Sequence, residues 1–136
     1  MNATLKHEDK LFKDTALVIE KAVDKLGIAA QDILPLLKKS VAYDALKIYK
    51  KIIRTMRKLK KRLRKMQRIG VLNIRKAQNL RIQMTNIMNR LVDYGLFKKV
   101  WERGEIPNID KASLTFIAEG IGGLQRIISR AYVEMR

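Results

Sequence analysis

A chain of 136 residues with 47% hydrophobic side chains is long enough for one domain with a modest core, spanning 1–136, and too apolar to remain disordered. Zero cysteines exclude disulfides and thiolate metal sites, and the single His7 cannot build a zinc site without carboxylates that no local spacing supplies. The formal net charge is +17, and nearly all of the excess sits in one third of the chain: the 48 residues between Asp44 and Asp93 hold no acid and sixteen of the 30 lysines and arginines, whereas the other fourteen stand against all 13 acids. A balanced body with one cationic segment is the composition of a protein that meets a polyanion.

In chain order, the opening "MNATLKHEDKLFKD" is charged throughout and lacks the apolar run of a secretory signal. No window holds eighteen uninterrupted apolar residues, so no membrane span is expected. The first helix is predicted from about Glu8 to Leu26. Phe12, Ala16, Ile19, Val23 and Leu26 step by four and three along one buried stripe, Glu8 and Asp9 sit near the positive end of the helix dipole, and Gly27 is positioned to end the helix. Asp32 is placed to cap the next helix, with Pro35 in its first turn, where a missing N–H costs nothing.

From Ala42 a heptad rhythm runs through Ala45, Tyr49, Ile52, Met56, Leu59, Leu63 and Met66, and it continues past Gly70 through Ala77, Leu80, Met84, Ile87, Leu91 and Tyr94. Two architectures fit: one helix of about 50 residues hinged at Gly70, or a hairpin in which Gly70 ends one helix and Asn73 caps the next. The hairpin is favoured because both signals occur at the required spacing. A lone glycine inside a long helix would cost only about 1 kcal/mol, which keeps the alternative open. Gly95 is expected to close this helix, and "LFKKVW" (Leu96–Trp101) reads as a short amphipathic turn before a loop over 104–108. Asp110 is the predicted N-cap of a last helix carrying Leu114, Ile117, Ile121, Leu124, Ile128 and Ala131 on one side. Its "AEGIGG" interior is costly, at about 1 kcal/mol per glycine, unless another backbone comes close or the helix bends. The predicted class is all-α: a helical bundle with a long basic hairpin and a Gly-interrupted C-terminal helix.

The segment "IYKKIIRTMRKLKKRLRKMQRIG", Ile48–Gly70, packs eleven cations into 23 residues. From Arg57 to Arg68 only Leu59, Leu63, Met66 and Gln67 are not cationic, so this stretch is expected to bury one thin seam against one neighbour and to leave the rest to water or anions. Lys47, Lys51, Arg54, Lys58, Lys61, Lys65 and Arg68 step down one face, each repelling the next, whereas a merely solvated face normally mixes signs. Phosphate is the expected counter-charge, bound by Lys47, Lys50, Lys51, Arg54, Arg57, Lys58, Lys60, Lys61, Arg62, Arg64, Lys65, Arg68, Arg75, Lys76 and Arg81. All eight aromatic residues lie outside Lys50–Asp93, so stacking platforms for unpaired bases are missing there. Asn73, Gln78, Asn79, Gln83, Asn86 and Asn89 fit polar surface or subunit contacts better than adenine edges. The expected partner is therefore nucleic acid, double-stranded DNA first, bound by its backbone with little sequence preference. A membrane surface fits poorly, because the apolar stripe is thin and lacks Trp and Phe.

Catalysis has little foothold. His7 beside Glu8 and Asp9 reads as solvated surface, and "EGIGG" lacks the spacing of a phosphate loop, so no enzyme activity, cofactor, metal or small-molecule substrate is expected. Glu119 is expected in a salt bridge or exposed. Leu59, Leu63 and Met66 are assigned to helix packing, and Ala118 and Gly122, with neighbouring Gly120 and Gly123, to a close backbone approach within the chain or in a homo-oligomer.

The cationic hairpin "KIYKKIIRTMRKLKKRLRKMQRIGVLNIRKAQNLR" and the glycine-interrupted "ASLTFIAEGIGGLQRII", in a small cysteine-free helical chain, resemble in architecture the helical-bundle coat proteins of filamentous or spindle-shaped archaeal DNA viruses. The likeness covers layout and carries no residue motif. It implies many copies polymerising around a double-stranded genome, located in the virion or host cytoplasm. A small DNA- or RNA-binding accessory protein, chromatin-like or regulatory, is the alternative, and a membrane-surface or scaffold protein a third.

Overall fold

The computed structural model describes residues 2–39, 43–104, 106, 109 and 111–136. Among them lie five helices and no strand: α1 (Ala3–Lys39), α2 (Tyr43–Ile69), α3 (Ile74–Val92), α4 (Gly95–Glu102) and α5 (Lys111–Met135). α1 packs on α2 and α5, and α3 packs on the same two helices, so these four form a ring around one core; α4 packs on α2 and α3. The fold is an all-α bundle.

α1 overrides two local signals. Gly27 does not end it, and Asp32 and Pro35 lie inside it rather than at the start of another helix. The stripe continues through Leu26, Ala30 and Leu37, all buried, and a Cβ at Gly27 would stand 3.5 Å from Met56 Cβ of α2. Packing along this extension outweighs the cost of about 1 kcal/mol for the glycine and about 3 kcal/mol for the proline. The helix also starts earlier than predicted, where Asn2 Oδ1 accepts from the Leu5 N–H at 2.6 Å. Glu8 is consequently one turn inside, buried, and its Oε1 accepts from Arg130 Nε at 3.0 Å, tying α1 to α5.

The hairpin, not the continuous helix, joins α2 to α3. Gly70 takes φ 68°, its N–H donates to Met66 O at 2.8 Å, and Asn73 Oδ1 caps α3 by accepting from the Lys76 N–H at 3.2 Å. α1 pins this turn: Asp9 Oδ1 accepts from the Val71 N–H at 2.9 Å, and any side chain at Gly70 would overlap that carboxylate. At its other end α3 stops at Val92, with Asp93 as C-cap, so Gly95 opens α4 instead of closing α3.

The heptad seam is the core as predicted. Ala45, Tyr49, Ile52, Met56, Leu59, Leu63, Met66, Ala77, Leu80, Met84 and Leu91 are buried, Ile87 is half-buried and Tyr94 lies at the exposed edge. Ala42 and the expected Asp110 cap lie outside the described residues. α2 meets more than one neighbour, however: thin as its seam is, it packs against α1, α3 and α4. In α5, Leu114, Ile117, Ile121, Leu124, Ile128 and Ala131 are buried, while Glu119 is exposed. Within the chain the close approach falls at Gly120, where a Cβ would lie 2.7 Å from the side-chain Cγ1 of Ile19 on α1. Ala118 and Gly122 are exposed, and nothing stands within 4 Å of a Cβ at Gly122.

Candidate nucleic-acid interface

The seam decides which way α2 points its charges. With Leu59, Leu63 and Met66 in the core, Lys47, Lys50, Arg54, Arg57, Lys58, Lys61, Lys65 and Arg68 fall on the outward side, and all eight are exposed. Residues three and four apart on such a row have Cβ atoms about 5–6 Å apart, and the row from Lys47 to Arg68 is about 32 Å long at 1.5 Å per residue. Among the described residues, none of the eight has an acidic partner.

Other cations of the segment are engaged within the chain. Lys60 Nζ pairs with Asp24 Oδ1 at 2.6 Å and Arg64 Nε with Glu20 Oε2 at 3.3 Å. Glu20 is held further by Gln67, whose Nε2 donates to its Oε1 at 2.6 Å. Two expected phosphate ligands are thus neutralised by α1, whose acids lie far away in sequence and were invisible to a local reading. Arg62 is half-buried, donating from Nε to Gln83 Oε1 at 2.9 Å and from Nη1 to Lys58 O at 3.0 Å. Lys51 Nζ lies 5.7 Å from the ring centre of Tyr94, a cation–π contact that orients it without cancelling its charge. Arg81 is half-buried against α3's own Thr85, with 3.4 Å between Nη1 and Oγ1, and its Nε is buried with no partner, which sets it apart from the exposed row.

Arg75 and Lys76 are exposed in the first turn of α3, which contains no acid. Cations at the positive end of a helix dipole are unfavourable by about 0.3–1 kcal/mol each. A bound phosphate reverses that sign, because both the cations and the dipole then attract it.

A concavity lies elsewhere, an open groove of about 660 Å³ between α3, α4 and α5. Met88, Leu114 and the tilted ring pair Phe97 and Trp101, with ring centres 4.9 Å apart, line it. Its charged rim mixes signs through Asp93, Lys98, Glu102 and Lys111, so it does not extend the cationic row. Among the described residues no three His, Cys, Asp or Glu side chains are placed to hold a metal ion, and no helix is long and apolar enough to cross a membrane.

No protein family, curated protein or solved structure matches the chain, so no relative supports the likeness to archaeal viral coat proteins, and the functional reading rests on the surface itself.

Proposed function

We propose that this chain binds the phosphate backbone of nucleic acid with little sequence preference, through the outward row of α2, and serves as a structural protein carried in many copies on one nucleic acid. The observation that supports the reading is the row itself: eight exposed cations on one helix, without acidic partners among the described residues, while the α1 acids that reach α2 pair with Lys60 and Arg64 on its flank. Neighbouring like charges on a helix each cost about 0.2–0.5 kcal/mol. A polyanion turns that repulsion into attraction and releases its own counterions.

The many-copy part of the reading draws on α5. Ala118 and Gly122 are exposed, nothing stands within 4 Å of a Cβ at Gly122, and together they leave a low surface on a helix other than α2, open to a second copy. Viral coat proteins are one class of such nucleoproteins. An accessory DNA- or RNA-binding protein makes the same demand on α2 and none on α5.

Binding measured against salt tests the first part. Engagement of 6–10 phosphates predicts that affinity falls by about 10³–10⁵ from 50 to 200 mM salt, equally for unrelated duplexes. A flat salt response, a strong preference for one sequence, or equal binding to anionic vesicles overturns it. Sedimentation with long DNA tests the second. The wild type should form large particles and Gly122→Leu smaller ones with helicity intact; a wild type that stays small favours the accessory reading.

A further inference from the structure

We infer that the nucleic acid is a duplex lying on the α2–α3 side of the bundle, with one strand met by each helix; this rests on the phosphate-binding reading above. The two flanks of α2 differ. Toward α1, Lys60 and Arg64 are matched by Asp24 and Glu20, at 2.6 and 3.3 Å. Toward α3 there is nothing to match them, because neither helix carries an acid between Asp44 and Asp93.

The Arg62–Gln83 hydrogen bond, 2.9 Å long, identifies the facing edges of α2 and α3. Lys58 and Lys65 sit one turn to either side of Arg62, and Lys76 and Arg90 sit two turns to either side of Gln83. Lys58, Lys65, Lys76 and Arg90 are all exposed. Two cationic edges therefore run along a shared seam, with the Arg62 guanidinium bonded to the neutral Gln83 amide between them.

Two rows on neighbouring packed helices favour a duplex. Packed helix axes lie about 8–10 Å apart, a distance between the widths of the minor groove, about 6 Å, and the major groove, about 12 Å. Phosphates of two strands facing each other across a groove suit two such rows, whereas one flexible strand satisfies only one. A single strand would also seek aromatic stacking partners, and none occurs between Lys50 and Asp93.

Two double variants, each removing two positive charges, test this. Lys76→Gln with Arg90→Gln changes the α3 edge, and Lys60→Gln with Arg64→Gln changes the α1 flank. Each is titrated with duplex DNA and with oligo(dT) across a salt series, with circular dichroism to confirm helicity. The α3-edge variant should reduce the slope of log affinity against log salt by about 1.8, at about 0.9 per phosphate contact, and lose the duplex preference, while the α1-flank variant keeps both. Should that variant fold poorly, Asp24→Asn, which frees Lys60 of its partner, serves instead and should leave the slope unchanged. Equal slope changes in the two double variants, a full added contact in Asp24→Asn, or wild-type affinity for oligo(dT) equal to that for duplex would overturn the inference while leaving phosphate binding intact. Failure of the wild type to bind duplex at low salt would remove the phosphate reading, and this one with it.

Discussion

Gly120 and Gly122 are two residues apart on α5, yet alanine at each should move stability in different directions. In a helix interior, Gly→Ala gains about 0.8–1.0 kcal/mol from propensity alone, and both sites share that term. At Gly122 nothing lies within 4 Å of the new methyl group, so the whole gain should appear. At Gly120 the methyl would stand 2.7 Å from Ile19 Cγ1 and 2.8 Å from its Cδ1. Ile19 is 1% exposed, so its side chain would have to shift within the core. Overpacking of this kind costs about 1–3 kcal/mol, which makes Gly120→Ala neutral to destabilising by about 2 kcal/mol and sets the same 1–3 kcal/mol as the gap between the two variants. Urea unfolding followed by circular dichroism reads the gap as a difference in midpoint at equal slope. Ile19→Val deletes the Cδ1 contact, so it should cost less in the Gly120→Ala background than in wild type, a coupling that a double-mutant cycle isolates. Equal stabilisation by both alanines, or no coupling to Ile19, would refute the close α1–α5 crossing at Gly120.

Asp9→Ala leaves the Val71 N–H at the buried hairpin turn without its acceptor, and stability should drop by about 1–3 kcal/mol with faster exchange of that amide; unchanged exchange would show that the turn holds without α1. Leu63→Asp places an unpaired charge at a position with 0% exposure, and the expected loss of about 4 kcal/mol or more should appear as lost helicity in dilute buffer. Burial pushes the Tyr49 phenol up to about 12, so the folded state favours its neutral form. Its contribution is complete below the unfolded value of about 10 and declines by about 1.4 kcal/mol per pH unit between about pH 10 and 12. Tyr49→Phe should flatten that part of the urea midpoint profile, and parallel profiles would contradict the assignment.

Features summed over many turns, or encoded within a few residues, are legible in the chain before it folds. The stripe from Ala45 to Met66 is buried because every turn repeats the same apolar choice, and the hairpin forms at Gly70 and Asn73 because both the left-handed stop and the side-chain cap are local chemistry. Where a single residue meets a partner far along the chain is set by the packing of the helices. Gly27 and Pro35 resemble a helix boundary until Met56 and the burial of Leu37 hold α1 through them. Lys60 and Lys61 are identical in chemistry and adjacent in sequence, and one is paired with Asp24 while the other points to solvent. Gly120 and Gly122 differ in the same way, since only Gly120 faces Ile19. Local propensity and periodicity are properties of a segment, whereas an ion pair or a backbone crossing is a property of two segments, and the geometry that joins them exists only once the helices have packed.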